Sequence, residues 1–411
     1  MPPTREVTVA LVLRSSQESS SPTTGQEAGG RPGKRNMQLN DLLGHYDELL
    51  YLPDKTPILA ALAIVAAQDI PGPPVWTLLV GPPSSGKTEI IDSLRLVNGA
   101  VSVSTLTKAS LLSGRTGGAG GLLLTHFRNG HGLLLVKDFT SILSEAAGAR
   151  TETIAVLREV YDGHITRAVG SRDTPLSWAG QISFLGAVTE EIELHRATID
   201  LMGNRFLYVP MPPTHRAGEE IARTAITQAR QQHQTREALA VAVSDFFTQL
   251  PPTPSLDLGD DEIDRLVAGA TFAALARSPI IRDTRSREID LTPEPESPAR
   301  LAGEAHQLRQ GLSAIGASPP QARKVVRSAL LGSIPKQRRL ALVALLDADG
   351  PLRTAQVAAR TRTPESSIRR QLEDLAALGV IESNDADYGE WSPEFWAPTA
   401  VTQQLWETMT L

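Results

Sequence analysis

The run Gly81-Pro82-Pro83-Ser84-Ser85-Gly86-Lys87-Thr88 constrains this chain more than any other feature. It follows an apolar stretch, Val75–Val80, and precedes helical spacing from about Gly86 to Leu96. Gly81 and Gly86 let the backbone fold back with its N–H groups pointing inward. Lys87 adds a point charge, and Thr88 a hydroxyl suited to Mg²⁺. The helix that opens here contributes the positive end of its dipole to the same place. A strand, this loop and a helix together predict a cradle for the β- and γ-phosphates of ATP, with Mg²⁺ bound beside them.

Strand and helix signals alternate around the loop. Strands are expected at Ala100–Thr105, at the unbroken Leu/Val run Gly132–Val136 and at Gln181–Val188, with a helix at 151–161 and a polar reversal after it. Continuous apolar strands between helices point to an α/β fold whose parallel sheet is covered on both faces. Two helical stretches precede it over 39–69, and Pro210–Pro213 closes it. Residues 14–36 are Ser, Gly, Pro and charge with almost nothing to bury, and are expected to be disordered. The chain thus divides into an N-terminal segment 1–36, an α/β core 37–213, a helical lid 214–335 and a C-terminal part 336–411. Helices are expected in the lid at 216–249, 261–277, 298–315 and 319–331. The last part reads as helix (337–347), helix (354–360), helix (Pro364–Leu378) and two strand-like runs, Val380–Glu382 and Glu390–Trp396, the pattern of a winged helix-turn-helix.

Composition removes several alternatives. None of the 411 residues is cysteine, which excludes disulfides, cysteine zinc sites and thiol nucleophiles, and fits a reducing, cytoplasmic location. The longest apolar stretch, Ile58–Ala67, is far short of the ~20 residues of a membrane span. Residues 1–20 carry only the apolar run Val7–Leu13, so no signal peptide is expected. A formal charge of −6 argues against a wholly basic nucleic-acid binder and confines any DNA contact to a local patch.

An ATPase needs carboxylates opposite its phosphate loop. The run Leu133–Val136 ends in Lys137-Asp138-Phe139, where an acidic pair would ordinarily place one group on Mg²⁺ and one on the attacking water. Only Asp138 is acidic, so it is assigned both tasks, and Lys137 stands where the first carboxylate is expected. That departure bears on hydrolysis rate more than on nucleotide binding.

The order of these elements resembles AAA+ ATPases of the pre-sensor-1 hairpin group, which contains MCM helicases and bacterial enhancer-binding activators. The resemblance covers roughly 37–213 and rests on helix 151–161, the stretch His164–Gly170 and the strand Ile182–Thr189. It implies that Thr189 is the sensor-1 residue near the γ-phosphate, with Glu190 the neighbouring candidate. Met202-Gly203-Asn204-Arg205-Phe206-Leu207 is similar to the segment bearing the arginine finger, implying that Arg205 reaches the nucleotide of an adjacent subunit. Arg300, at a helix start in the lid, is taken as sensor 2, ahead of Arg282, Arg285 and Arg287. A finger acting in trans implies head-to-tail self-association into a ring, hexameric in the family.

DNA contact is expected at two places. One is the reversal between Gly163 and Trp178, with Arg167 and Arg172. The other is the first turns of helix 364–378, with Ser366, Ser367, Arg369 and Arg370. Residues 341–411 hold five Arg against eleven Asp/Glu, whereas 279–340 hold eleven Arg/Lys against six, so the helical part just before is the basic one. The function expected is an ATP-dependent DNA-processing machine, a helicase or replication initiator of MCM-like type from a mobile element. The alternatives are a nucleotide-switched helicase loader or transcription regulator with weak hydrolysis, and a protein remodeller with the winged helix as adaptor.

Overall fold

The computed structural model describes residues 37–113, 120–168, 174–201, 203–213, 218–251, 255–283, 285–383 and 395–410. Residues Met37–Leu411 make one compact unit. The expected disorder of 1–36 lies outside the described residues.

Helices α1 (Leu39–Leu49) and α2 (Thr56–Ala67) precede β1 (Trp76–Val80), which runs through the Gly81–Gly86 loop into α3 (Lys87–Ser93). Next come β2 (Ala100–Val103), α4 (Lys108–Leu111), α5 (Leu122–Thr125), β3 (His131–Val136), α6 (Thr140–Leu143) and α7 (Ala147–Tyr161). The reversal is a hairpin of β4 (His164–Arg167) and β5 (Leu176–Ala179). It leads into β6 (Gln181–Val188), α8 (Ile192–Leu201) and β7 (Leu207–Pro210). The order in the main sheet is β2-β3-β6-β1-β7, with every pairing parallel. Successive side chains of a strand face opposite sides. Leu79, Leu133, Leu135, Leu185 and Val209 therefore enter one core with α2 and α3, while Trp76, Leu78, Leu134, Val136, Phe184 and Tyr208 enter a second with α7. Registers Val80↔Val188 and Val136↔Gly186 align the C-terminal ends of β1, β6 and β3 side by side. Ligands of open parallel sheets bind at that edge.

The helical stretch holds α9 (Gly218–Gln228), α10 (Gln232–Gln249), α11 (Asp260–Arg277), α12 (Ala299–Ala314) and α13 (Pro319–Gly332), with a hairpin of β8 (Ile281–Arg282) and β9 (Ile289–Leu291) after α11. The single helix expected over 216–249 is two. The run between them, Ala229-Arg230-Gln231, offers no large apolar side chain to bury, so the chain turns there before Leu239, Val243 and Phe246 enter the core. This stretch packs intimately on the sheet unit. All twelve residues of α2 are buried, as expected of a helix apolar on every side, and α12 covers it. A Cβ on Gly311 would lie 2.1 Å from the Ala63 carbonyl oxygen. Gln307 Nε2 donates to the Ala67 and Ile70 carbonyls, at 2.9 and 2.7 Å, near the end of α2.

The last part holds α14 (Lys336–Leu346), β10 (Leu352–Arg353), α15 (Thr354–Thr361), α16 (Glu365–Ala377), β11 (Ile381–Ser383), β12 (Phe395–Pro398) and α17 (Ala400–Thr410). Its three strands form an antiparallel sheet in the order β10-β12-β11. The second strand-like run is seen as β12, starting at Phe395, and residues 384–394 before it are outside the described residues. Helix α17 was not expected. It packs back on α11, where Gly269 faces Met409 and the Phe272 and Trp406 ring centroids are 5.6 Å apart. Two arginines pin this part to the helices before it. Arg338 donates to the Ser278 carbonyl (2.6 Å) and to Asp374 (3.0 Å), and Arg282 donates to Asp374 (2.9 Å) and Glu373 (3.0 Å).

Close approach of backbones carries the attachment of α13. A Cβ on Gly332 would fall 1.8 Å from the Tyr208 carbonyl oxygen. Gly332→Ala is expected to lower stability by about 1–3 kcal/mol, seen as a reduced denaturation midpoint with an unchanged denaturant slope.

Candidate functional site

The candidate phosphate loop turns back through two residues with positive φ, Ser84 (61°) and Gly86 (87°). Gly81 has no room for a side chain: a Cβ there would lie 2.6 Å from that of Met211, where the chain leaves β7. The Lys87 ammonium is buried inside the turn and donates to the Gly81 (2.7 Å) and Pro82 (2.6 Å) carbonyls and to Ser85 Oγ (3.2 Å). Burial pulls the Lys87 pKa below its ordinary value, and the charges of Asp138 and Glu190 act against that shift. Lys87 therefore shares a neighbourhood with the ends of β3 and β6. Pro83, Ser84 and Thr88 are exposed on the rim of the same turn.

At the end of β3, the two residues diverge. Lys137 turns to α3 and pairs with Asp92, Nζ–Oδ1 2.6 Å. Asp138 stays exposed, with Oδ1 accepting from the Thr140 N–H at 2.9 Å. The lysine at this position is thus one half of an ion pair that ties the strand to α3. Thr140 Oγ1 accepts from the Thr189 N–H at 3.2 Å and lies 3.5 Å from Thr189 Oγ1, which joins the ends of β3 and β6. Glu190, next along, accepts from Lys336 Nζ at 2.7 and 2.8 Å, and Glu193 accepts from the Lys336 N–H at 2.9 Å. The first residue of α14 is therefore held against the loop after β6.

A cavity of about 540 Å³ opens beside the phosphate loop. Leu50, Leu52, Pro53, Pro212 and Ile221 give it an apolar wall, and the loop gives it a polar one. An apolar shelf with convergent polar groups suits a flat base carrying phosphates. Arg236 of α10 lines this cavity and forks onto Glu89 of α3, Nε–Oε2 2.7 Å. Nothing in the sequence singled Arg236 out, because its helix spacing is uninformative until α10 is docked on α3.

Arg205 lies elsewhere. It precedes β7, whose parallel register with β1 runs from Thr77↔Leu207 to Val80↔Pro210. The strand rise of ~3.3 Å per residue puts Arg205 and the phosphate loop at opposite ends of the sheet, on the order of 15 Å apart. Its guanidinium pairs with Asp162, Nε–Oδ1 3.2 Å, and lies 5.6 Å from the Tyr161 ring centroid. Arg300 stands in this neighbourhood and not against the phosphate loop. It pairs with Glu296 at 2.7 Å, and burial, Arg277 and Arg205 lower its pKa while Glu304 and Glu296 oppose them. Glu304 accepts from the Tyr161 hydroxyl at 2.5 Å, and its own burial pushes it up to about 7.

The candidate DNA residues fall in two settings. Arg167 on β4 donates to the Leu112 carbonyl at 2.8 Å, so its head group is anchored to the chain beside it. Arg172 lies outside the described residues. On α16, Ser366, Arg369 and Arg370 are exposed and Ser367 is half-buried. Ser366, Arg369 and Arg370 line a groove whose other side is the β8–β9 hairpin with Arg287 and Glu288.

No family model matches the chain, and no curated protein is similar enough to be called a relative. The site is therefore read from its geometry. Lys87→Ala removes the one ammonium inside the loop, so ATP affinity measured by calorimetry on the folded variant is expected to fall at least about a hundredfold. Unchanged affinity would contradict the phosphate-loop assignment.

Proposed function

We propose that this chain is an ATP-dependent DNA-processing ATPase of the AAA+ type, MCM-like in outline and carrying a C-terminal winged helix. The observation that carries the reading is the alignment of the β3, β6 and β1 ends, which gathers Asp138, Thr189 and Lys87 at one edge of a parallel sheet. In this reading Lys87 and the loop N–H groups hold the β- and γ-phosphates, and Arg236 flanks the nucleotide cavity. No group of three or more metal-ligating side chains gathers among the described residues. Mg²⁺ would take Thr88, Asp138 and the nucleotide's own oxygens, where it neutralises phosphate charge. Thr189, held by Thr140, stands where a polar side chain can follow the γ-phosphate.

The distance between Arg205 and the loop of its own chain supports action in trans. An arginine at the far end of the sheet would meet a nucleotide in a neighbouring copy, and a head-to-tail contact whose rotation closes gives a ring. An arginine fork there can be worth ~10³–10⁵ in rate. The antiparallel sheet β10-β12-β11 with α14, α15 and α16 supports the winged-helix reading. The exposed Arg369 and Arg370 support a docking role on duplex DNA.

One observation favours the second reading, a nucleotide-set switch with weak hydrolysis such as a helicase loader. Lys137 is bound to Asp92 and Glu190 to Lys336, whereas Asp138 has no ion-pair partner among the described residues. ATP turnover with and without single- and double-stranded DNA separates the readings. DNA-stimulated turnover with strand displacement supports the motor, and tight binding with negligible turnover supports the switch.

Arg205→Ala is expected to bind ATP normally and lose turnover. Mixing it with Lys87→Ala protein is expected to restore part of the activity, because hybrid interfaces pair an intact loop with an intact arginine. Stable mixed oligomers without any recovery would contradict action in trans.

A further inference from the structure

A second cavity, of about 390 Å³, lies between α13, α14 and α17 and is bounded by Pro210 at the end of β7. Its lining carries three cations, Lys324, Arg327 and Arg339, against one carboxylate, Asp347. Lys324 holds Asp54 at 3.0 Å on the exposed rim. The two arginines have no carboxylate within ion-pair distance among the described residues. Arg327 stacks on Trp406, with its guanidinium carbon 4.7 Å from the ring centroid, and its Nε is buried without a hydrogen-bond partner. Arg339 donates to the Leu331 carbonyl at 3.1 Å. Burial pulls its pKa down, Arg196 adds to that, and Glu193 and Glu190 oppose it.

Arg327 and Arg339 are half-buried, and a guanidinium partly withdrawn from water with no anion beside it carries a desolvation cost. An anion in this cavity would remove that cost. We propose that the cavity is a phosphate-binding site, separate from the phosphate loop, that takes the phosphate groups of a free polyphosphate or of a nucleic-acid backbone. Arginine forks and the Ser328 hydroxyl suit phosphate oxygens. Arg327 already occupies a place over the Trp406 ring, and Phe272 meets that ring at a tilt with centroids 5.6 Å apart, so the arginines rather than the ring are the recognition groups of the site. A volume near the lower end of small-molecule sites, ~300–1,000 Å³, fits a pyrophosphate or one or two backbone phosphates.

The position gives such an anion a consequence. Past Pro210 the chain continues to Pro212 and Pro213, which line the cavity beside the phosphate loop. Arg339 belongs to α14, whose first residue holds Glu190. A phosphate here would bind α13, α14 and α17 together at the edge strand next to the proposed nucleotide site.

The test uses the full chain carrying Lys87→Ala, so that the phosphate loop contributes little and the result does not depend on whether that loop binds ATP. Pyrophosphate and an oligothymidylate lacking terminal phosphates are titrated separately by calorimetry. At least one is expected to bind, and which one names the source of the phosphate. Adding Arg327→Gln with Arg339→Gln is expected to weaken that binding by about tenfold or more. Lys324→Gln, which removes one rim charge and can still donate to Asp54, is expected to weaken it in the same direction and decides the matter if the double variant fails to fold. Absence of binding by both probes, or undiminished affinity in the folded variants, would overturn the proposal.

Discussion

A lysine ammonium taken out of water must be met by oxygen, and much of this structure follows from where Lys87 finds it. The Gly81 and Pro82 carbonyls and Ser85 Oγ surround Lys87 Nζ within 3.2 Å. Such a turn closes only where Ser84 and Gly86 take positive φ and where Gly81 leaves room for Met211. The Gly81 N–H in turn bonds the Val188 carbonyl, and the Met211 N–H bonds the Val80 carbonyl at 2.7 Å. The loop, β6 and the exit of β7 are thereby locked in one arrangement. The charges that keep the ammonium favourable, Asp138 and Glu190, come from the neighbouring strand ends.

Charged groups also fasten the helical and C-terminal parts to the sheet. Arg196 on α8 donates to the Gly332 and Ser333 carbonyls at the end of α13, at 2.7 and 2.9 Å. Lys336 bridges Glu190 and Glu193 at the start of α14. Arg338 and Arg282 converge on Asp374 of α16. Each arginine meets carbonyl or carboxylate oxygens in a fork geometry, which lysine could not reproduce. Helix α14 thus carries at its start the cation that meets Glu190 and, two residues on, the arginine that meets Asp374 of α16, the helix proposed to meet DNA.

What the sequence revealed depended on how local the signal was. The apolar strands β1, β3 and β6 and the passage from β1 through a Gly-bounded loop into α3 were legible because buried strands and a tight loop are written in consecutive residues. The break between α9 and α10 and the β8–β9 hairpin were not, since neither carries apolar periodicity of its own. Helix α17 was missed because its buried side, with Thr402 and Met409, has meaning only against α11. Lys137 looked anomalous from its position in the strand, yet its partner Asp92 lies on another element and only the fold brings the two together. Arg300 likewise has a sequence position compatible with several roles, and the fold sets it beside Arg205.

The central claim is that one carboxylate, Asp138, at the end of β3 serves the phosphate loop at the end of β1. Asp138→Asn keeps the size of the side chain and the oxygen that accepts from Thr140, and removes only the charge. Measuring ATP affinity and ATP turnover on the same preparation tests the claim most directly. Affinity near that of the parent with turnover reduced by about a hundredfold or more is the result the geometry predicts. Turnover equal to the parent's, with binding intact, would contradict it and place the metal-handling carboxylate elsewhere.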